Sequence, residues 1–338
     1  MTVRSFAAAQ SDDWDDLVHR SCNGTFLHTR RFLSYHHDRF ADQSLLLHDR
    51  RGRITGVLPA AVSPEGTETI VSHPGLTYGG LVHDGSVRGA SMITALQEVV
   101  AHYRQLGYRR LHYKAIPGIY HSEPADDDLY ALFRLGARRD RSDLSATIDL
   151  SRRGRVSQQR VRSRKAAAAA AVSTGDDWDD IKEFWGILEA NLAQRHGTSP
   201  VHSVGDIQLL QSLFPTAIML ITARVDRKLA GGTVLFAAGP VLHMQYTATT
   251  IAGRAACVTD LLMEHGIELA RDGGYRYFDF GISTHSAGRV LDEDLYRFKA
   301  SFGAGGATYD HYQIDLQAPL SPPCPTTSDT APHPGMNP

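Results

Sequence analysis

The chain has 338 residues, 42% hydrophobic and 21% charged, with a formal net charge of −2 at pH 7. Such fractions exclude a largely disordered chain, and so balanced a charge gives no global pull toward nucleic acid, so any polyanion binding must come from a local cluster. Cys22, Cys257 and Cys324 lie far apart with no CxxC pairing. They read as reduced thiols rather than a disulfide framework or a structural zinc site. No basic-then-apolar stretch opens the chain and no window approaches the roughly 20 apolar residues that span a bilayer, which predicts a cytoplasmic protein with no membrane span.

Taken in order, residues 1–150 read as mixed α and β. Ser11 can cap a helix through residue 20 that carries Trp14, Leu17 and Val18 on one face. Strands are predicted at 43–48 and 54–62, joined by a turn containing Gly52. A helix over 86–106, a strand over 109–113, a helix over 127–135 and a strand near 144–150 complete this half.

Residues 151–316 repeat the order. SDDWDDL at 11–17 returns as GDDWDDI at 175–181, and GYRRLHY at 107–113 as GYRYFDF at 274–280. LGA followed by TIDL within 135–150 returns as FGA followed by QIDL within 302–316. A helix-start signature could recur by itself, but not all three anchors at nearly one offset. The chain therefore reads as two α/β (α+β) units, 1–150 and 151–316, each a central, mostly antiparallel mixed sheet flanked by helices. A proline-rich tail, 317–338, is expected to be disordered.

Two segments depart from the repeat. Arg152, Arg153, Arg155, Arg160, Arg162, Arg164 and Lys165 fall in a stretch with no acid between Asp149 and Asp176, followed by six alanines, 166–171. This is a strong helix whose cations suit a polyphosphate chain such as tRNA, with Arg160, Arg164 and Lys165 at helical spacing as contacts. It reads equally as a solvated linker face. Residues 250–255, between a strand over 241–248 and a helix from about 254, have strand–loop–helix geometry that exposes amides to an anion, with Gly253 and Arg254 as donor contacts; an ordinary helix start has the same letters.

The richest stretch is 274–303. An aromatic strand ends at Gly281, a polar loop with Ser283, Thr284, His285 and Ser286 follows, and a helix over 289–301 ends with Arg297 and Lys299. Asp279 could orient an amine or cap the turn at Gly281. His285 is the candidate general base for an attacking ammonium, and also a loop histidine among seventeen. Tyr246 could line the same cleft or the core. In the first half Arg30, Arg31 and His36 share a helix, and Tyr78-Gly79-Gly80 is a glycine-rich segment that could approach a ligand or form a plain loop. His36-His37-Asp38 is not read as a metal site, because adjacent helical residues diverge by about 100°.

The run strand–DFG–polar loop–LYRFKASFG, with residues 26–40, 73–82, 114–120, 188–202 and 231–246 (the last ending in HMQY), resembles the Fem-like transferases and their GNAT-type acyltransferase relatives. The resemblance spans the chain to residue 316 and implies a tandem, duplicated GNAT-like architecture, with an acceptor side in the first half and a donor side with the active cleft in the second. It implies that Lys299 holds the donor phosphate or the oxyanion of acyl transfer, that the segment 250–255 matches a pyrophosphate loop, and that Arg30, Arg31, His36, Tyr78 and Gly79 face the acceptor. His285 stands where relatives often carry an acid, and Asp292 near where they carry Asn. The expectation is a metal-independent aminoacyl transfer from aminoacyl-tRNA, as co-substrate rather than resident cofactor, to the amine of a small-molecule or cell-wall-like acceptor. An acyl-CoA-dependent N-acyltransferase and a non-catalytic RNA- or ligand-binding protein are the alternatives.

Overall fold

The computed structural model describes residues 1–169 and 172–319, so the last two of the six alanines and most of the proline-rich tail, with Cys324, lie outside the described residues. In chain order the strands are β1 Thr2–Ser5, β2 Leu45–His48, β3 Ile54–Leu58, β4 Ala61–Ser63, β5 Gly66–Val71, β6 Val82–His83, β7 Arg110–Lys114 and β8 Arg138–Asp149. They continue as β9 Ser173–Gly175, β10 Ile218–Val225, β11 Lys228–Ala238, β12 Val241–Thr249, β13 Tyr277–Ile282, β14 Thr284–His285, β15 Val290–Leu291 and β16 Gly305–Asp315. The α-helices are α1 Ser11–His19, α2 Arg30–Leu33, α3 Ala90–Gln105, α4 Asp127–Arg134, α5 Gln158–Ala169, α6 Ile181–His196, α7 Val204–Leu213, α8 Ile251–Ala255, α9 Val258–Asp272 and α10 Glu293–Ala300.

Ten strands form one sheet in the order β4-β5-β7-β16-β8-β13-β12-β11-β10-β9. About its middle the pattern is palindromic. β8 and β16 run antiparallel at the centre, each flanked by an antiparallel neighbour, β13 or β7. Each neighbour has a parallel partner, β12 or β5. The duplication legible in the letters is thus a two-fold relation in space, and the closing strand of each repeat is exchanged: β8 pairs with β13 of the second repeat, and β16 with β7 of the first.

One residue breaks the symmetry. In the second repeat β11 runs unbroken for 11 residues between β10 and β12. In the first, the single strand expected over 54–62 is cut at Pro59 into β3, which pairs with β2, and β4, which pairs with β5. Proline has no N–H to give a ladder and fixes its own φ, so the sheet cannot continue through it. β1, β2, β3 and β6 form a separate four-stranded sheet.

Helix ends follow sequence chemistry with local corrections. α3 starts at Ala90, after Gly89 at φ 50°, not at residue 86. The helix expected from 289 begins at Glu293, because residues 284–291 form the β14–β15 hairpin and Asp292 caps α10 through the N–H of Leu295. Strand β8 is longer than expected, starting at Arg138.

Apolar burial ties the repeats together. One cluster joins Trp14, Leu17 and Tyr35 of the first repeat to Phe184, Trp185 and Phe236 of the second; two others lie under α3 and α9. At the same junction Tyr35 Oη lies 3.1 Å from His202 Nε2, and His202 Nδ1 2.6 Å from Tyr246 Oη. No helix among the described residues is long and apolar enough to cross a membrane.

Several buried histidines make this packing acid-sensitive. Burial pushes His28, His36 and His202 down to about 4 and His311 to about 3, from an ordinary 6.5. Between about pH 6.5 and 4 the unfolded chain therefore binds protons that the folded one refuses, and stability falls as pH falls, by up to about 1.4 kcal/mol per pH unit for each histidine. Urea unfolding followed at pH 7 and pH 5 is expected to show a distinctly lower midpoint at pH 5.

Candidate active site

β12 and β13 are parallel neighbours for only three residue pairs, Val241↔Tyr277, Leu242↔Phe278 and His243↔Asp279. Beyond them β13 turns away at Gly281, φ 76°, and the strands part. α9 and α10 flank the opening, and a cavity of about 400 Å³ lies there, lined by Thr247, Ala248 and Thr249 of β12, Leu188 and Asn191 of α6, Arg254, and Leu295 and Phe298 of α10, among others. The walls are largely apolar. Arg254 donates to the carbonyl of Thr249 (2.8 Å) and to Asn191 Oδ1 (3.3 Å), and also lines an adjoining cavity of about 380 Å³.

At the closed end of the cleft sits Asp279, with no solvent exposure. It accepts hydrogen bonds from Ser145 Oγ (2.5 Å) and Thr147 Oγ1 (2.6 Å) of β8, Tyr309 Oη (2.7 Å) of β16 and His243 Nδ1 (2.7 Å) of β12. Burial opposes ionisation, but the bonds from His243, Ser145 and Thr147 outweigh it and hold the carboxyl below its usual value. An ionised Asp279 accepts only, so His243 carries its proton on Nδ1. Tyr309 likewise donates to Asp279 and must accept from Tyr120 Oη, 2.8 Å away. Asp279 neither caps the Gly281 turn nor is free to meet a substrate amine. It is the anchor of a network, and its partner His243 was not singled out from the sequence. The signal was there: His243 begins HMQY.

Lys299 is 6% exposed. Its ammonium donates to the carbonyls of Gly281 (2.9 Å) and Ile282 (2.7 Å), bracing the end of β13, and burial, partly offset by Asp279 and Asp292, pushes it down to about 8. His285 is half exposed on the β14–β15 hairpin, 3.5 Å from Asp292 Oδ2. It does not line the cavity.

The basic segment is partly neutralised by acids from another element. Arg160, mostly buried, pairs with Asp260 of α9 (2.5 Å) and lies over the rings of Phe298 and Phe302. Arg153 forms a two-pronged bond to Glu264 (2.8 and 2.9 Å), which Arg164 approaches at 3.8 Å. Of the contacts expected from sequence only Lys165 stands exposed without an ion pair among the described residues, as do Arg152, Arg155 and Arg162 of the same run. In the segment 250–255 the N–H of Gly253 is taken by Thr250 Oγ1 (3.0 Å), and a Cβ at Gly253 would lie 2.3 Å from the carbonyl of Ala230. The glycine answers a packing need against β11. The longer helix, α9, starts only after Cys257 at φ 58°.

On the first-repeat side, Arg30 pairs with Asp42 (2.5 Å) under the Phe6 ring, and Arg31 is exposed beside Phe214. Tyr78 is buried against Tyr120, ring centroids 4.3 Å apart, and Gly79 is a glycine because a Cβ would meet the Ser72 carbonyl at 1.8 Å. His36 is buried between Tyr35 and His73 with neither ring nitrogen bonded. Tyr246 joins His202 as described, packed on Trp185. None of these five first-repeat residues, nor Tyr246, lines the cavity.

Comparison with known proteins agrees with this geometry. Residues 150–299 match the model of the Acetyltransferase (GNAT) domain. The fold is that of FemX (12% identity, 93% of this chain and 97% of that one, TM-score 0.64). It is also that of the C-terminal domain of a putative lysylphosphatidylglycerol synthetase from Agrobacterium fabrum (13%, 92% and 93%, 0.58). A tandem GNAT protein from the clavulanic acid biosynthesis pathway is similar too (14%, 94% and 99%, 0.51). No curated protein sequence matches the chain. At these identities the structural likeness is one of fold. Residues 150–299 thus match a GNAT-type domain model, within a chain whose fold is shared with tandem GNAT proteins. More narrowly, its architecture is the Fem-like, tandem GNAT one.

The hydrogen-bond network yields a stability prediction. Asp279→Ala removes the acceptor of four donors at once and should cost about 3 kcal/mol or more of unfolding free energy, whereas Tyr309→Phe, which removes one donor, should cost about 1 kcal/mol. Parallel urea melts of the two variants measure the difference.

Proposed function

We propose that the protein transfers an aminoacyl group from aminoacyl-tRNA to the amine of a small-molecule or cell-wall-like acceptor. The terminal aminoacyl-adenosine would occupy the cavity between β12 and α10, and the tRNA body would lie along the exposed side of α5. One observation carries this reading: Arg160 fastens α5 to Asp260 and over Phe298, a cavity wall, so the exposed cations Arg155, Arg162 and Lys165 are held beside the cleft. The paired arginines build the platform and the unpaired cations meet the phosphates. The Fem-like fold supports the same chemistry.

In this reaction the acceptor amine attacks the ester carbonyl, and negative charge develops on the carbonyl oxygen. Lys299, already holding the β13 end in place, sets a positive charge near that point.

A second reading, an acyl-CoA donor, is favoured by the apolar walls and by Arg254, which suit a pantetheine arm and a phosphate respectively.

The deciding assay gives the protein charged tRNA or acyl-CoA with a panel of amines. Amide formation with charged tRNA, lost when the donor is treated with ribonuclease, is the expected result; product from acyl-CoA alone would replace it with the second reading. Replacing Arg155, Arg162 and Lys165 together by Glu should raise KM for charged tRNA about tenfold or more and leave acyl-CoA use unchanged.

A further inference from the structure

We propose that His243 is the general base of the transfer, held by Asp279; this rests on the acyl-transfer reading but not on the identity of the donor. His243 belongs to the last residue pair before β12 and β13 separate, so it stands where the two strands begin to part. Its Nδ1–H is committed to an ionised, fully buried carboxylate. In the neutral ring its Nε2 then presents a lone pair, and with 13% of the side chain exposed it is not sealed off. The neighbour across the ring is Gly281, where a Cβ would come to 3.5 Å from the imidazole; the absence of a side chain leaves the ring edge uncovered.

The surroundings fit a proton acceptor beside a developing oxyanion. Lys299 Nζ bonds the carbonyl of that same Gly281, so the cation and the imidazole both adjoin one residue. Behind the imidazole, Asp279 is fixed by Ser145, Thr147 and Tyr309, so the ring cannot turn without breaking a charge-assisted bond. The cavity wall at Thr247 is four residues along β12, roughly 13 Å away at strand spacing, more than an ester linkage spans, so the reacting carbonyl has to lie between the cavity and the β12–β13 junction for His243 to act. His285 offers no such geometry: it is exposed and its Nε2 is turned to Asp292.

The proton ledger closes. As the neutral amine forms the C–N bond, one of its protons passes to Nε2. The tetrahedral intermediate then collapses, the C–O bond to the ribose breaks, and the imidazolium returns that proton to the leaving oxygen. The products are an amide and a free hydroxyl, or a free thiol when the donor is a thioester, and His243 ends neutral.

The test is His243→Asn, whose amide N–H can keep the bond to Asp279 while offering no basic nitrogen. With whichever donor supports turnover, kcat should fall about 100-fold or more while KM for donor and acceptor stays within about threefold. Added imidazole should restore part of the loss in His243→Ala. Diethylpyrocarbonate should modify wild-type His243 and be blocked by bound acceptor. A folded His243→Asn enzyme that keeps more than a third of wild-type kcat overturns the assignment. Loss of activity with tRNA donors but His243-dependent turnover with acyl-CoA leaves the base standing and removes only the donor proposed above.

Discussion

A carboxylate without water must have its lone pairs answered by the protein, and in this chain the answer to Asp279 comes from three strands other than its own. Ser145 and Thr147 reach it from β8, Tyr309 from β16 and His243 from β12. Two of those three strands are the exchanged closing strands of the repeats. The network cannot exist unless each repeat has lent its last strand to the centre of the common sheet, so the electrostatics of one side chain and the topology of the whole molecule specify each other. A buried charge so heavily solvated by fixed donors is also pre-oriented, which is the condition for holding an imidazole where two strands begin to part.

Much of this was legible in the letters. Three anchors at a nearly constant offset give the duplication, and the DFG strand with its following FKxxFG helix gives the location of the cleft. The roles of individual side chains were less accessible, for a common reason: their partners are distant in sequence. The basic stretch from Arg152 looks uncompensated because no acid lies near it in the chain, yet Asp260 and Glu264 arrive a hundred residues later on α9. Gly253 and Gly79 look like ligand-facing glycines, and each is instead required by a backbone carbonyl, of Ala230 or Ser72, passing too close for a methyl group. Lys299 reads as a cation presented to substrate and proves to be engaged with two carbonyls at the end of β13. His243 begins the HMQY run, but only its pairing opposite Asp279, 36 residues on, sets it apart from the other sixteen histidines.

The division of work between paired and unpaired cations also resolves the basic helix. Arg153 and Arg160 are spent on carboxylates and aromatic rings, contacts that fix where α5 lies. Arg155, Arg162 and Lys165 gain their position from those anchors and keep their charge for solvent or a ligand. A helix made only of exposed cations would have no reason to dock on α9 at all.

The exchange of closing strands has a consequence for how the molecule is made. When the ribosome has finished the first repeat, β7 still lacks the neighbour that only β16 of the second repeat supplies, and β8 has no β13 to lie against. The nascent first half must wait with open sheet edges until the second repeat has been made, so assembly of the common sheet is a late, concerted event, and the two copies, once fused, lose the freedom to be inherited or reshuffled one at a time.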